Sequence, residues 1–424
     1  MSSPAPQSRS PLQPPTPPQS SSPEARVSVV VPFYERQDQL DRLLAGLDLQ
    51  TLPASHFEVV IADDGSNVGP RAGERDFATT VVRQADDGFR LAAARNLGAS
   101  AAAGDVLVFL DQDCVPAPDY LEKVLSVTTT PWDLTVGHRL HAELDGWTGE
   151  AVRDWLRGDA EPPDLIDEPA WLLDGYERTA DLTRPDDRAY QLVIGAAVSV
   201  SRHLHEELGG FDETFRAYGG EDWDYGHRAH VAGAEMRWLA DAVVWHDGPD
   251  LPGRGDLTAT KNAETVALAR RLPDADVRGT HLVWSIPEVV VQVDTRGADD
   301  AVVIASLESL LAGTDAHVWL GDGVESPVED PRVHAGRPGP DVLARARWLV
   351  DCAAVLLHGT TLRELTRAAP VGSPDLQICS TRDASRQSRG IEPVRPRPLP
   401  AGVRVERLVE TPVLERHWQS RTTR

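Results

Sequence analysis

The stretch DVLVFLDQDCVPAPDYL occupies Asp105–Leu121. It opens as an apolar strand and runs straight into two aspartates, Asp111 and Asp113, separated by one residue and followed by a proline-punctuated turn. Neither has a basic neighbour in the chain. Side-by-side carboxylates repel, and withdrawing them from water makes their charged forms costly. Such a pair is either well solvated on a turn or holds a cation between its members.

Upstream, VSVVVPFYER begins with a valine-rich run from Val27 to Val31, the mark of a strand buried on both faces of a parallel sheet. Pro32 ends it. Leu40, Leu43, Leu44 and Leu47 then recur at helical spacing, with Asp38 placed to cap that helix. FEVVIADDGS supplies a second strand and an acidic turn at Asp63, Asp64, Gly65 and Ser66. The result is a β-α-β unit with a right-handed crossover. The alanine-rich RLAAARNLGASAAAG reads as a helix leading into the third strand. Three strands thus end in PFYE, DDGS and DQD. Ligands of open α/β sheets bind outside the carboxyl ends of the strands, so these turns are expected to share one crevice.

Downstream, residues 132–188 lose regularity, and short helices and loops over the crevice are expected there, with Trp147, Trp155 and Trp171 as candidate acceptor contacts. Regular pattern returns in QLVIGAAVSVSRHLHEELGGFDETF, then in a helix from about Trp223 and a strand ending near Trp245 and His246. DGPDLPGRGD after it reads as a lid or a linker. Val289–Gly323 repeats the layout of Val27–Gly65 without a second D-x-D, as a decayed copy of the first β-α-β unit would. The expected organisation is a disordered Pro/Ser-rich arm over 1–25, a catalytic domain over 26–255 and a C-terminal α/β domain over 256–424 with an Arg/Pro-rich tail. Any oligomeric contact is expected through the last.

The charge balance, 42 Lys+Arg against 66 Asp+Glu, gives −24 and excludes nucleic acid and anionic membrane surfaces as natural partners. Cys114, Cys352 and Cys379 are too few and too scattered for a disulfide framework, which fits a reducing cytoplasm. The first residues carry no apolar core of a signal peptide, and no run approaches the ~20 apolar residues of a membrane span.

With these motifs in order, residues 27–246 resemble a family 2 glycosyltransferase of the GT-A fold, a Rossmann-like, mostly parallel sheet flanked by helices. The carrying motifs are VSVVVPFYER, VVIADDGS, LAAARNLGASAAAGDVLVFLDQDCVPAPDYL, GGFDETF and GGEDWDYGHRA. GGED with a later WH is also similar to galactosyltransferases and chondroitin-type polymerases. The resemblance implies a metal-dependent, inverting transfer from a nucleotide-sugar donor, a UDP-sugar favoured, to an acceptor hydroxyl. By it, Asp111, Asp113 and His246 hold Mn²⁺ or Mg²⁺, which neutralises the departing diphosphate. Pro32, Tyr34, Asp63, Asp64, Arg90, Arg95, Asp111 and Gln112 meet the donor. Asp222 is the base that deprotonates the acceptor, and Glu221 orients it. Both carboxylates also suit the positive end of a helix, whatever their chemistry. Two rivals stand beside this reading: a sugar nucleotidyltransferase, against which PFYERQDQL lacks a Gly-rich, lysine-bearing loop, and a non-catalytic nucleotide-sugar-binding scaffold. Processive synthases of the family carry membrane spans and Q-x-x-R-W, and neither is found here.

Overall fold

The computed structural model describes residues 27–249, 258–279, 282–391, 395–409, 412 and 414. The amino-terminal arm expected over 1–25 lies outside them, as do residues 250–256 of the expected lid.

The β-α-β unit forms as its sequence dictates. β1 (Val27–Phe33) is buried throughout, α1 (Gln37–Leu47) crosses back, and β2 (Phe57–Asp63) lies parallel to β1 with Val27 opposite Phe57. β3 (Ala78–Arg83) extends the sheet past β2. α2 (Leu91–Ala101) then returns the chain to β4 (Val106–Leu110), parallel to β1 on its other side. Alternation along a buried strand builds two cores at once. Val29 and Val31 pack with Leu40, Leu43 and Leu44 of α1, whereas Val30 turns to Ala92 and Ala99 of α2. Asp38 does not cap α1; it lies in the first turn and pairs with Arg36, which precedes the helix.

β5 (Cys114–Pro116), α3 (Tyr120–Val127), β6 (Asp133–Ala142), α4 (Gly149–Arg157), β7 (Leu165–Ile166) and α5 (Ala170–Arg178) follow. β8 (Ala197–Ser201), α6 (Arg202–Glu207), α7 (Glu221–Val231) and β9 (Glu235–Asp247) complete the first layer. The strand order is β3-β2-β1-β4-β8-β6-β9-β5, with β7 on β6. Residues 132–188 do contribute two short helices, but they also supply β6, which lies between β8 and β9 inside the sheet. Its sequence DLTVGHRLHA alternates, sending Leu134 and Val136 into the core below. The polar second half of the strand hides that period.

α8 (Thr258–Ala269) leads to a second sheet. Its chain order is β10 (Val289–Asp294), α9 (Asp300–Leu311), β11 (Ala316–Trp319), β12 (Val333–His334), α10 (Pro340–Leu343) and β13 (Trp348–Ala353). β14 (Val355–His358), α11 (Leu362–Ala368), β15 (Val371–Ser373), β16 (Leu376–Ser380), α12 (Thr381–Ser388) and β17 (Arg404–Arg407) follow, with β17 paired to β14. The main sheet reads β12-β11-β10-β13-β16-β15.

That order repeats β3-β2-β1-β4-β8 strand for strand. In both sheets the first three pairings are parallel and the fourth is antiparallel. The register repeats as well: Val27 faces Phe57 and Val106, and Val289 faces Ala316 and Trp348. Val106 pairs with Ser201 and Trp348 with Ser380, and each serine caps the helix that follows. Carried along this register, the positions of Asp111 and Asp113 fall on Ala353 and Val355. The second sheet therefore copies the scaffold and lacks the paired carboxylates. Among the described residues, no helix is long and apolar enough to cross a membrane.

Candidate active site

The carboxyl ends of β1, β2 and β4 meet on one rim. Parallel pairing sets Phe33 beside Asp63, and Gln112 stitches the DQD turn to the end of β1. Its Oε1 accepts from the Tyr34 N–H at 2.8 Å, and its Nε2 donates to the Tyr34 carbonyl at 3.2 Å and to Gln39 at 2.9 Å. Gln112 thus reaches the cleft with its amide already committed to the scaffold.

The cleft on this rim holds ≈ 370 Å³ and is lined by Pro32, Tyr34, Asp64, Phe89, Gln112 and Tyr218 among others. Asp64 accepts from the Arg90 backbone N–H at 3.0 Å and from Gln84 at 2.5 Å. Asp63 is buried behind it, accepting from Ser66 N–H at 2.9 Å and pairing with Arg83 at 3.2 Å. It shapes the turn and does not line the cleft. Gly65 has φ +89°, and a Cβ there would stand 2.3 Å from the Asp86 nitrogen, so this turn requires glycine. Phe89 and Tyr218 face each other with ring centroids 6.1 Å apart, and both are exposed. Sequence reasoning missed this pair; the available signal was an aromatic residue beside a turn glycine in both DDGF and YGGED.

Arg95 is placed differently from the expected donor contact. Its guanidinium is 1% exposed, donating to Asp111 at 2.7 Å and to Glu221 at 2.9 Å, with its carbon 5.2 Å from the centre of the Phe211 ring. Buried between two carboxylates, it cannot also present itself to a ligand in the cleft. It is a strut joining the DQD turn to the GGED helix. Arg90 stays at the rim, its Nη2 donating to the Ala85 carbonyl at 3.0 Å and its Nε 3.9 Å from Asp64.

Asp113 meets His246 through strand pairing. β5 lies antiparallel to β9 with Cys114 opposite His246, and the Asp247 N–H donates to the Asp113 carbonyl. The result is 3.5 Å between Asp113 Oδ2 and His246 Nε2. His246 Nδ1 lies 3.3 Å from the Gly248 carbonyl, a partner that orients the ring with Nε2 toward Asp113. Metal-bound histidines are oriented in this manner by a second partner. Enclosure by protein pushes the Asp113 pKa up; His246 pulls it down and Asp111 pushes it further up. An oxygen and a nitrogen of the kinds that bind divalent cations thus stand side by side, two of the three expected ligands. The third expected ligand is not gathered with them, because Asp111 turns to Arg95. Among the described residues no cluster of three or more such ligands forms. His141, buried with its ring centroid 5.1 Å from that of His246, is a neighbour the sequence did not reveal.

α7 brings in the remaining carboxylates. Gly219 and Gly220 hold φ of +91° and +92°, and this left-handed turn delivers Glu221 and Asp222 to the rim. Asp222 accepts from the Gly195 N–H at 3.1 Å and from the Trp223 N–H at 2.8 Å, yet stays partly open to solvent. Glu221 is 5% exposed; one oxygen meets Arg95 and the other has no hydrogen-bond partner among the described residues. Burial, then the neighbouring Asp222 charge, pushes Glu221 up to about 7. Burial also raises Asp222, against the pull of its two backbone donors and Arg95. A carboxyl raised as far as Glu221 accepts and releases protons at physiological pH. Of the candidate acceptor aromatics, Trp147 and Trp155 pack with Trp245 in a side cluster, whereas Trp171 is 49% exposed.

Residues 28–186 match the family described as glycosyl transferase family 2, and residues 178–243 match the N-terminal domain of galactosyltransferase. Validoxylamine A glucosyltransferase of Streptomyces hygroscopicus subsp. limoneus is 31% identical over 229 residues, 50% of this chain and 49% of that protein. Chondroitin synthase of Escherichia coli is 28% identical over 270 residues, 58% of this chain and 38% of that protein. The chain thus spans about half the length or less of these relatives. A solved structure, S. aureus TarS 1–349 in complex with UDP-GlcNAc, is similar over 57% of this chain and 64% of that one, at 16% identity and a TM-score of 0.41.

Proposed function

We propose that this chain, whose residues 28–186 match glycosyl transferase family 2, moves a sugar from a nucleotide-sugar donor to an acceptor hydroxyl, with inversion and with a divalent cation, Mn²⁺ or Mg²⁺. The observation that carries the reading is the Asp111–Arg95–Glu221 chain, which fixes the acidic turn of β4 and the start of α7 on one rim. A donor and an acceptor held there would meet between them.

In this reading the nucleotide enters the cleft of β1 and β2. Asp64 accepts from its base, and Tyr34, Phe89 and Tyr218 offer ring faces. A UDP-sugar is the favoured donor. Asp113 and His246 hold the cation, which when bound offsets the negative charge of the diphosphate as it departs. Asp222 takes the proton of the acceptor hydroxyl as that oxygen attacks the anomeric carbon; the glycosidic bond breaks with its electron pair leaving on the diphosphate. Glu221, anchored by Arg95, orients the acceptor. Three free cysteines are in keeping with a reducing compartment such as the cytoplasm.

The test is Asp222→Asn, measured against UDP binding by calorimetry and sugar transfer by product formation. Binding is expected to stay within twofold of the parent and transfer to fall by roughly 10²–10⁴, the range of a general base. Transfer at the parent rate would remove Asp222 from the reaction.

A further inference from the structure

The last motif carboxylates, Asp212 in GGFDETF and Asp224 in GGEDWD, take no part in the site, and the second sheet has no role in it. One residue joins all three. Arg345, in the turn between α10 and β13, donates from Nε to Asp224 at 3.1 Å and from Nη2 to Asp212 at 3.1 Å. Its own carbonyl accepts from His227 Nε2–H at 2.7 Å. Asp224 is fully buried, and a carboxylate withdrawn from water needs cationic partners. Arg345 is one; Arg228, at 2.8 Å on the same helix, is the other. Asp212 is the residue after Phe211, whose ring underlies Arg95.

The helix geometry gives this contact its direction. At 100° per residue, Asp224, His227 and Val231 lie on one face of α7, and Asp222 projects from roughly the opposite side. The second sheet therefore grips the side of the helix opposite Asp222, with Glu221 on the flank between them. It grips the far end too. Arg382 donates to the His230 and Ala234 carbonyls at 2.9 and 3.0 Å, and Arg389 donates to the Gly233 carbonyl at 2.9 Å. His230 lies in the last turn of α7, and Gly233 and Ala234 follow it, so these bonds hold the end of the helix and the turn into β9.

We propose that Arg345 is a positioning residue for the transfer reaction, holding the first turn of α7 against the second sheet so that Asp222 faces the cleft. This rests on the function proposed above. The second sheet then contributes to the reaction without touching either substrate: it braces α7. Arg345 contacts no residue of the nucleotide cleft, so its loss should alter turnover and leave donor affinity unchanged.

The experiment uses the full chain and Arg345→Gln, which cannot form the double ion pair. Three readouts are taken: UDP affinity with Mn²⁺ by calorimetry, kcat and KM for transfer, and amide hydrogen exchange of the peptide spanning Gly219–Tyr225. The expected result is UDP affinity within twofold, kcat at least tenfold lower, and exchange at least tenfold faster in that peptide than in the parent, with β1 and β2 unchanged. Arg345→Lys, which keeps one ion pair, should recover part of kcat; it also carries the test if the glutamine variant fails to fold. Parent-like kcat and exchange would overturn the proposal. So would exchange rising through both sheets together with a loss of UDP affinity, which marks plain destabilisation. If the parent itself transfers no sugar, the proposed function falls, and the exchange readout still decides whether Arg345 holds α7.

Discussion

Replacing Arg95 with methionine tests whether the strut is electrostatic. The side chain is 1% exposed and its two partners are Asp111, 26% exposed, and Glu221, 6% exposed at the side chain. Removing one partner of a buried pair costs about 3–5 kcal/mol. The lower end applies here, because Asp111 can be rehydrated and Glu221 can take up a proton. A loss of about 3 kcal/mol in a unit of this size lowers the melting midpoint by about 6–12 °C. The pH dependence is more diagnostic. Glu221 is pushed from its ordinary 4.5 up to about 7, so between those values the folded chain holds a proton that the unfolded chain has released. Stability therefore falls as pH rises through that window and is level above it. Arg95 pulls this pKa down, so in R95M the decline continues to higher pH, each further unit removing about 1.4 kcal/mol. Melts of parent and R95M at pH 6 and pH 8 should show the larger deficit at pH 8. Equal deficits at both values, or a loss under about 1 kcal/mol, would refute the account.

Two further predictions concern the donor. His246→Ala and Asp113→Asn should each abolish the extra thermal stabilisation that Mn²⁺ gives to UDP-bound protein, with UDP alone still binding; an unchanged Mn²⁺ effect would place the cation elsewhere. Phe89→Ala and Tyr218→Ala should each weaken UDP affinity by calorimetry, by about tenfold if base–aromatic stacking contributes its usual ~1–3 kcal/mol; affinities equal to the parent's would exclude the facing rings as the base site.

What the sequence disclosed and what it concealed differ in range along the chain. β1, β2 and β4 are buried on both faces, so their apolar runs announce themselves, and the acidic turns sit where those runs stop. β5 is three residues long and carries no period; only its pairing with β9 puts His246 beside Asp113. Arg95 was legible in principle. It shares a face of α2 with Ala92 and Ala99, both buried, and a charged residue on a buried helical face needs a partner. The identity of that partner, Glu221, lies 126 residues away and is a property of the folded chain.

The duplicated scaffold separates what makes the fold from what makes the site. β10, β11, β12, β13 and β16 repeat the order, sense and register of β1, β2, β3, β4 and β8, down to the serine that caps the next helix. Those features rest on apolar strand faces and caps, and they survive without any carboxylate at Ala353 and Val355. Two acidic residues at the end of a strand are therefore not required for the sheet to form. In the first copy, Asp111 and Asp113 crowd together and Glu221 is held near neutrality beside a buried guanidinium, arrangements that cost stability and that the second copy folds without. Charges kept in one copy against that cost, and absent from the other, are the residues for which a role in chemistry is the economical explanation.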